Sequence, residues 1–368
     1  MKITHLTSAH PRYDTRIFLK ECTSLAKIDN YEVSLIVADN KGDEVKHNIH
    51  IYDVGKLHGR INRMFKTTKN VLQKAIELDS DIYHLHDPEL MPVGIKLKKM
   101  GKKVIFDAHE DVPKQLMSKP YLNQFLLKIL AKSFAIYEKH TTQKFDYIVS
   151  ATPIIRDKFA AYNPKSVDIK NYPMLDELAT VEIPWQDKKD AVCYVGGITE
   201  SRGIKEIVKS LQYLDTVKLN LAGNFIEKKV EAEVKSYDTW NKVTEYGFVD
   251  REKISEILTE SKVGLVTLHP LISYQEALPI KMFEYMATGL PVVASNFPMW
   301  KEIVEGNKCG ICVDPLDPKE IAEAINYIIS NPKEAEQMGE NGRKSVLEKY
   351  NWGIEEKKLF KVYEELEK

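Results

Sequence analysis

Twice along the chain, short apolar runs alternate with amphipathic stretches, and this double alternation limits the fold more than any other feature. Lys2 to Thr7 precedes Arg16 to Ala26; Val33 to Val37 follows, then Ile82 to His86 before Leu90 to Lys99, Val104 to Asp107, and Tyr147 to Ser150. Runs of strand length joined by helix-length segments specify parallel sheets with crossover helices. The pattern then restarts with Ala191 to Val195, Lys218 to Ala222, Val263 to Thr267 and Pro291 to Ala294, each followed by a helical pattern. Two Rossmann-like α/β domains follow, and 368 residues with 43% hydrophobic content suffice to bury both cores. The joint is expected between Asn171-Tyr172-Pro173 and Pro184-Trp185-Gln186-Asp187, giving domains over 1–173 and 185–349 and a C-terminal helix over 350–368.

Charge divides unevenly between the halves. Up to Pro173 there are 28 lysines and arginines against 20 acids; beyond it, 25 against 34. The first half is therefore expected to face something anionic, such as a membrane surface or a diphosphate. Nucleic acid is not expected, because the chain has no basic region with heptads, no ribonucleoprotein aromatic motif and no zinc-finger spacing. Arg60, Arg63, Lys66, Lys69 and Lys74 recur at near-helical spacing opposite Ile61, Met64, Phe65, Leu72 and Ile76, a basic amphipathic helix that can rest on anionic lipid or simply pack on a core. Tyr121 to Tyr137 adds Leu122, Phe125, Leu126, Ile129, Leu130 and Phe134 among lysines. Apolar runs stay far below the roughly 20 residues a spanning helix needs. The opening Met1-Lys2-Ile3-Thr4-His5-Leu6 turns polar too early for a signal peptide, and four cysteines without a paired framework suit a reducing compartment. The expected location is the cytoplasm, at the inner face of the plasma membrane if the basic helix engages lipid.

In open parallel sheets, ligands sit at the carboxyl ends of strands, so the loops there carry the candidate chemistry. Glu276 and Glu284 are eight residues apart, about 80° around a helix, but Pro279 places the first before a helix start and the second inside it. One pocket could hold both carboxylates, which accept hydrogen bonds from sugar and ribose hydroxyls; spacing alone equally allows a loop glutamate plus a solvated one. Tyr194-Val195-Gly196-Gly197-Ile198-Thr199-Glu200-Ser201-Arg202-Gly203 reads as a strand, a glycine turn open to a phosphate, and a cation at a helix start. Val104-Ile105-Phe106-Asp107-Ala108-His109-Glu110-Asp111 ends a strand in a polar cluster, where His109 can donate to a sugar hydroxyl. His84-Leu85-His86-Asp87-Pro88-Glu89 follows another strand; His86 and Asp87 either meet an acceptor or cap the helix at Pro88. Asp79-Ser80-Asp81 reads as turn chemistry and Cys309-Gly310-Ile311-Cys312 as a strand, so neither is assigned a metal.

The Glu276–Glu284 spacing, followed by Ala287-Thr288-Gly289-Leu290-Pro291-Val292-Val293, resembles glycosyltransferase family four, of GT-B fold, over nearly the whole chain. The resemblance implies two Rossmann-like domains facing each other across a cleft, with the C-terminal helix crossing back to the first. It also implies metal-independent, retaining transfer of a sugar from a nucleotide diphosphate-sugar to a hydroxyl of a glycan or lipid-linked acceptor, without a cofactor. Carried onto this sequence, Glu276 meets donor-sugar hydroxyls, Glu284 the ribose, and the backbone at Leu278, Pro279 and Ile280 the sugar and diphosphate, although Pro279 lacks an N–H. Glu276, His109 and Arg202 are the expected catalytic residues. Relatives grip the diphosphate with an arginine and a lysine; here Gly197 stands in the arginine's place and Arg202 in the lysine's, beside Gly196, and Lys281 is the candidate replacement cation. The loop His10-Pro11-Arg12-Tyr13-Asp14-Thr15-Arg16 resembles a subgroup of bacterial surface-polysaccharide transferases, which implies Asp14 or Arg16 in the cleft and a role in capsule, O-antigen or exopolysaccharide synthesis on a polyprenyl-diphosphate-linked acceptor. A nucleotide-sugar 2-epimerase shares the architecture, and a non-catalytic nucleotide-sugar-binding subunit is suggested by Gly197.

Overall fold

The computed structural model describes residues 1–117, 123–175 and 183–368. Tyr121 and Leu122, and the stretch 176–182 of the expected joint, lie outside them. The chain forms two compact units, Met1–Asn171 together with Gly353–Lys368, and Tyr172–Trp352.

The first unit is built on eight strands: β1 (Lys2–Leu6), β2 (Glu32–Val37), β3 (Glu44–Lys46), β4 (Ile49–Asp53), β5 (Ile82–Leu85), β6 (Lys103–Ala108), β7 (Tyr147–Ser150) and β8 (Ser166–Asp168). Their order is β3-β4-β2-β1-β5-β6-β7-β8, parallel throughout except for the antiparallel edge strand β3. The central strands are buried along nearly their whole length, which is why they read as continuous apolar runs. Leu6, Ile36, Leu85, Phe106 and Ile148 share one core cluster. Sequence reading did not find β3, β4 or β8, which are short and rich in polar residues.

Two segments wind as π-turns rather than as plain α-helix. Ile17–Cys22 runs on into Thr23–Leu25, within the expected Arg16 to Ala26. Arg63–Thr67 lies between Arg60–Asn62 and Thr68–Leu78. The second corrects the expected amphipathic face: Thr67, Thr68, Val71 and Ala75 are buried, whereas Ile61, Met64, Phe65 and Ile76 are exposed. A π-turn carries more residues per turn than an α-helix, so it shifts the register of a 3.6-residue pattern.

The second unit has six parallel strands, β9 (Ala191–Val195), β10 (Lys218–Ala222), β11 (Val243–Gly247), β12 (Val263–Val266), β13 (Val292–Ser295) and β14 (Gly310–Val313), in the order β11-β10-β9-β12-β13-β14. Val192, Leu219, Leu265 and Val293 pack against the helices on one face, Phe283, Met286 and Trp300 on the other. The helix Trp352–Glu367 ends the chain, with Leu359, Val362 and Tyr363 buried. Among the described residues, no helix is long and apolar enough to cross a membrane.

Candidate functional site

In each sheet the strand order reverses direction at one place, between β1 and β5 in the first unit and between β9 and β12 in the second. Such switch points splay the loops at the carboxyl ends of the strands and open a crevice there.

In the second unit that crevice is floored by the turn after β9. Gly196 has φ 122° and Gly203 φ 81°; a Cβ on Gly203 would fall 2.0 Å from the Thr267 carbonyl, so only glycine lets this turn seat against the loop after β12. The Gly197 carbonyl accepts from the Tyr194 hydroxyl at 2.9 Å and from Arg202 at 3.1 Å. A Cβ on Gly197 would sit 2.8 Å from the Arg202 guanidinium. Gly197 thus leaves this place bare of side chain, and the Arg202 guanidinium occupies it.

Lys281 enters the same turn from the helix Ile280–Ala287, its Nζ 3.6 Å from the centre of the Tyr194 ring. That Nζ is buried and makes no hydrogen bond among the described residues. Burial, and then the charge of Arg202, push the ammonium well below the ordinary lysine value. The Tyr285 hydroxyl fixes the helix by accepting from the Val195 N–H at 3.0 Å. Pro279 caps the helix start, and Glu276 ends the preceding turn Ile272–Gln275, partly exposed beside Leu278 and Pro279. The Ala277 carbonyl is pinned by the Trp300 indole at 2.8 Å. Glu284 is nearly buried and accepts from Arg251 at 2.8 Å, a partner that sequence reading missed.

In the first unit the loop after β1 is organised by Asp87. Its Oδ2 accepts from the Thr7 hydroxyl and from the Ser8 and Ala9 N–H groups, while Oδ1 stands 3.0 Å from His10 Nδ1. Burial opposes its ionisation, but His10 and these donors hold the carboxyl well below its usual range. His10 is raised in return: burial lowers it, and the Asp87 hydrogen bond and charge outweigh that. Asp107 Oδ2 lies 3.0 Å from His109 Nε2. The rings of His10 and His109 are 5.2 Å apart, and both are partly exposed.

Three expectations change here. Arg16 does not line an opening; it is buried, bidentate to Asp107 at 2.8 and 2.9 Å, and donates to the Ile169 carbonyl. His86 is buried as well, 2.9 Å from His5, and burial lowers its pKa to about 4. Asp87 is buried within the loop it holds, not presented to a ligand. Asp14 accepts from the Arg16 and Ile17 N–H groups and so caps the helical segment that follows. Of the first-unit candidates, His109 and Asp14 are partly exposed, and His10, quoted with the opening loop but given no role there, is partly exposed beside His109.

Residues 17–170 match the family described as Glycosyltransferase Family 4, and residues 177–345 match Glycosyl transferases group 1. The chain belongs to glycosyltransferase family four. An uncharacterized glycosyltransferase of Haemophilus influenzae is 26% identical over 352 residues, 92% of each chain. Another, from Methanocaldococcus jannaschii, is 28% identical over 182 residues, and there the alignment spans only 48% of this chain and 45% of the relative. Sucrose-phosphate synthase from Thermosynechococcus elongatus superposes with a TM-score of 0.80 at 19% identity, over 99% of this chain and 98% of that one. Anabaena HepE in complex with UDP-glucose gives 0.75 at 15% identity, over 99% and 100%. These likenesses establish the GT-B fold of this family-four chain.

Proposed function

We propose that the protein is a retaining glycosyltransferase that takes a sugar from a nucleotide diphosphate-sugar bound at the β9–β12 crevice and delivers it to a hydroxyl of a glycan or polyprenyl-diphosphate-linked acceptor. The observation that carries this reading is the Lys281 ammonium, buried on the Tyr194 ring without a hydrogen bond, beside Arg202 on a glycine turn. A buried cation without a hydrogen bond is costly, and a diphosphate supplies the missing charge and acceptors. Helix-start amides at Ile280 and Lys281 add donors, and Pro279 costs none of these because it precedes them. Glu284 keeps an oxygen for a ribose hydroxyl while its other oxygen holds Arg251, and Glu276 suits the sugar hydroxyls. HepE, the structural neighbour, holds UDP-glucose.

With Glu276 on sugar hydroxyls, no carboxylate is assigned as nucleophile, which favours front-face departure: the leaving phosphate oxygen helps remove the proton of the incoming hydroxyl. Arg202 and Lys281 then stabilise the charge growing on the diphosphate, where preorganised electrostatics lowers barriers most. His109, backed by Asp107, serves the sugar side as a hydrogen-bond donor. Metal-independent departure follows from two protein cations doing this work.

The acceptor reading rests on the basic first half and on two exposed apolar patches flanked by basic residues: Ile61, Met64 and Phe65, and Phe125, Leu126 and Ile129. Contact with the anionic inner face of a membrane, in capsule, O-antigen or exopolysaccharide synthesis, fits both. Proton NMR of the sugar transferred or released from an α-linked donor tests the stereochemistry. An α-product is expected; a β-product refutes retention, and binding without turnover returns the non-catalytic subunit that Gly197 suggests.

A further inference from the structure

Behind His109, the first unit holds a second polar cluster that sugar transfer does not require. His5 on β1 and His84 on β5 are register partners, His86 follows β5, and Glu21 comes from Ile17–Cys22. All four are buried. His5 Nδ1, His84 Nδ1 and His86 Nε2 each stand 3.9 Å from the same atom, Glu21 Oε2. His5 Nδ1 and His86 Nε2 are 2.9 Å apart.

Three nitrogens at 3.9 Å from one oxygen are too far for hydrogen bonds. Neither Glu21 oxygen makes a hydrogen bond among the described residues, although Arg16 Nε lies 3.1 Å from Oε1. A four-coordinate zinc-class ion bonds imidazole nitrogen and carboxylate oxygen at about 2.0–2.2 Å, so its ligand atoms stand roughly 3.3–3.5 Å from one another. The separations of 2.9 and 3.9 Å lie on either side of that range. Supporting groups are also present. His86 Nδ1 is 3.4 Å from Asp107, and His5 Nε2 is 3.3 Å from the Tyr363 hydroxyl, the outer partners that orient ligating imidazoles. His84 Nδ1 would exchange its 2.8 Å contact with Tyr363 for the ion.

We propose that His5, Glu21, His84 and His86 form a closed structural site for one divalent cation of the zinc class, joining β1, β5 and the segment Ile17–Cys22. Four protein ligands without an exposed face suit a structural role rather than a catalytic one. The site is separate from the donor crevice and stands or falls apart from the proposed transfer.

Elemental analysis of the full chain, purified without metal-affinity steps or chelator, should find close to one equivalent of zinc or a similar metal. After chelation, added Co2+ should develop the visible bands of a four-coordinate site, and added Zn2+ should raise the unfolding midpoint. Glu21→Gln and His84→Asn should each lower retained metal by about tenfold or more, while Cys312→Ser keeps it. If either substitution prevents folding, the Co2+ and Zn2+ titrations of the wild-type chain decide alone. A folded, metal-free protein that gives no Co2+ bands and no Zn2+ shift overturns the site, as does metal lost on Cys312→Ser.

Discussion

Lys281 and Glu284 sit three residues apart on one helix yet are treated oppositely by the fold. Glu284 receives Arg251, whereas the Lys281 ammonium is sealed against Tyr194 without a hydrogen bond. Burial lowers its pKa, and a diphosphate beside it would raise it again, so nucleotide binding should take up a proton. Affinity is then expected to fall as pH rises through the lowered lysine value. Calorimetry in buffers of different ionisation enthalpy checks this: the apparent heat should depend on the buffer for the wild type and not for Lys281→Met, which should also bind at least about tenfold more weakly. Buffer-independent heat in the wild type would rule out the coupling. Glu276, Arg202, Lys281 and His109 were legible as motif positions because each lies in a loop or at a helix start fixed by local signals, and Glu284 because it follows at fixed spacing within that helix. Arg251 was not, since it meets Glu284 from 33 residues away. Arg16, His86 and Asp87 read as cleft residues because they follow strand ends; inside the unit Arg16 instead pairs with Asp107, His86 with His5, and Asp87 with Thr7, Ser8, Ala9 and His10.

At the scale of elements, the strands that sequence revealed are those buried on both faces, whose apolar runs leave little choice. β3, β8 and β11 escaped because they are edge strands carrying polar side chains, and β4 because His50, Tyr52 and Asp53 break its apolar run; Val45 in β3 is 64% exposed. The π-turn at Arg63–Thr67 escaped for a different reason: a 3.6-residue pattern does not register an extra residue. The glycine turn, by contrast, is dictated by closeness. Gly203→Ala would force a Cβ against the Thr267 carbonyl at positive φ, and is expected to destabilise the protein by about 2 kcal/mol or more. Denaturant unfolding measures it, and a wild-type midpoint would contradict the packing described for the β9 turn.

Over the whole molecule, the two alternating series give two parallel sheets, and the excess of basic residues before Pro173 sets the first half apart from the acidic second. Charge and exposed apolar residues together predict binding to vesicles containing anionic lipid, weakening with salt. Replacing Ile61 and Phe65 by serine should lower the sedimented fraction several-fold; unchanged sedimentation would remove that patch from the account. The central claim, a nucleotide diphosphate-sugar site at the β9–β12 crevice, is tested most directly by thermal unfolding against a panel of nucleotide diphosphates and nucleotide-sugars, since a ligand of the folded state raises the midpoint. The account predicts a rise selective for one base, present with or without EDTA and abolished by Arg202→Ala and by Glu284→Ala. No rise with any nucleotide, or one that survives both substitutions, would contradict it.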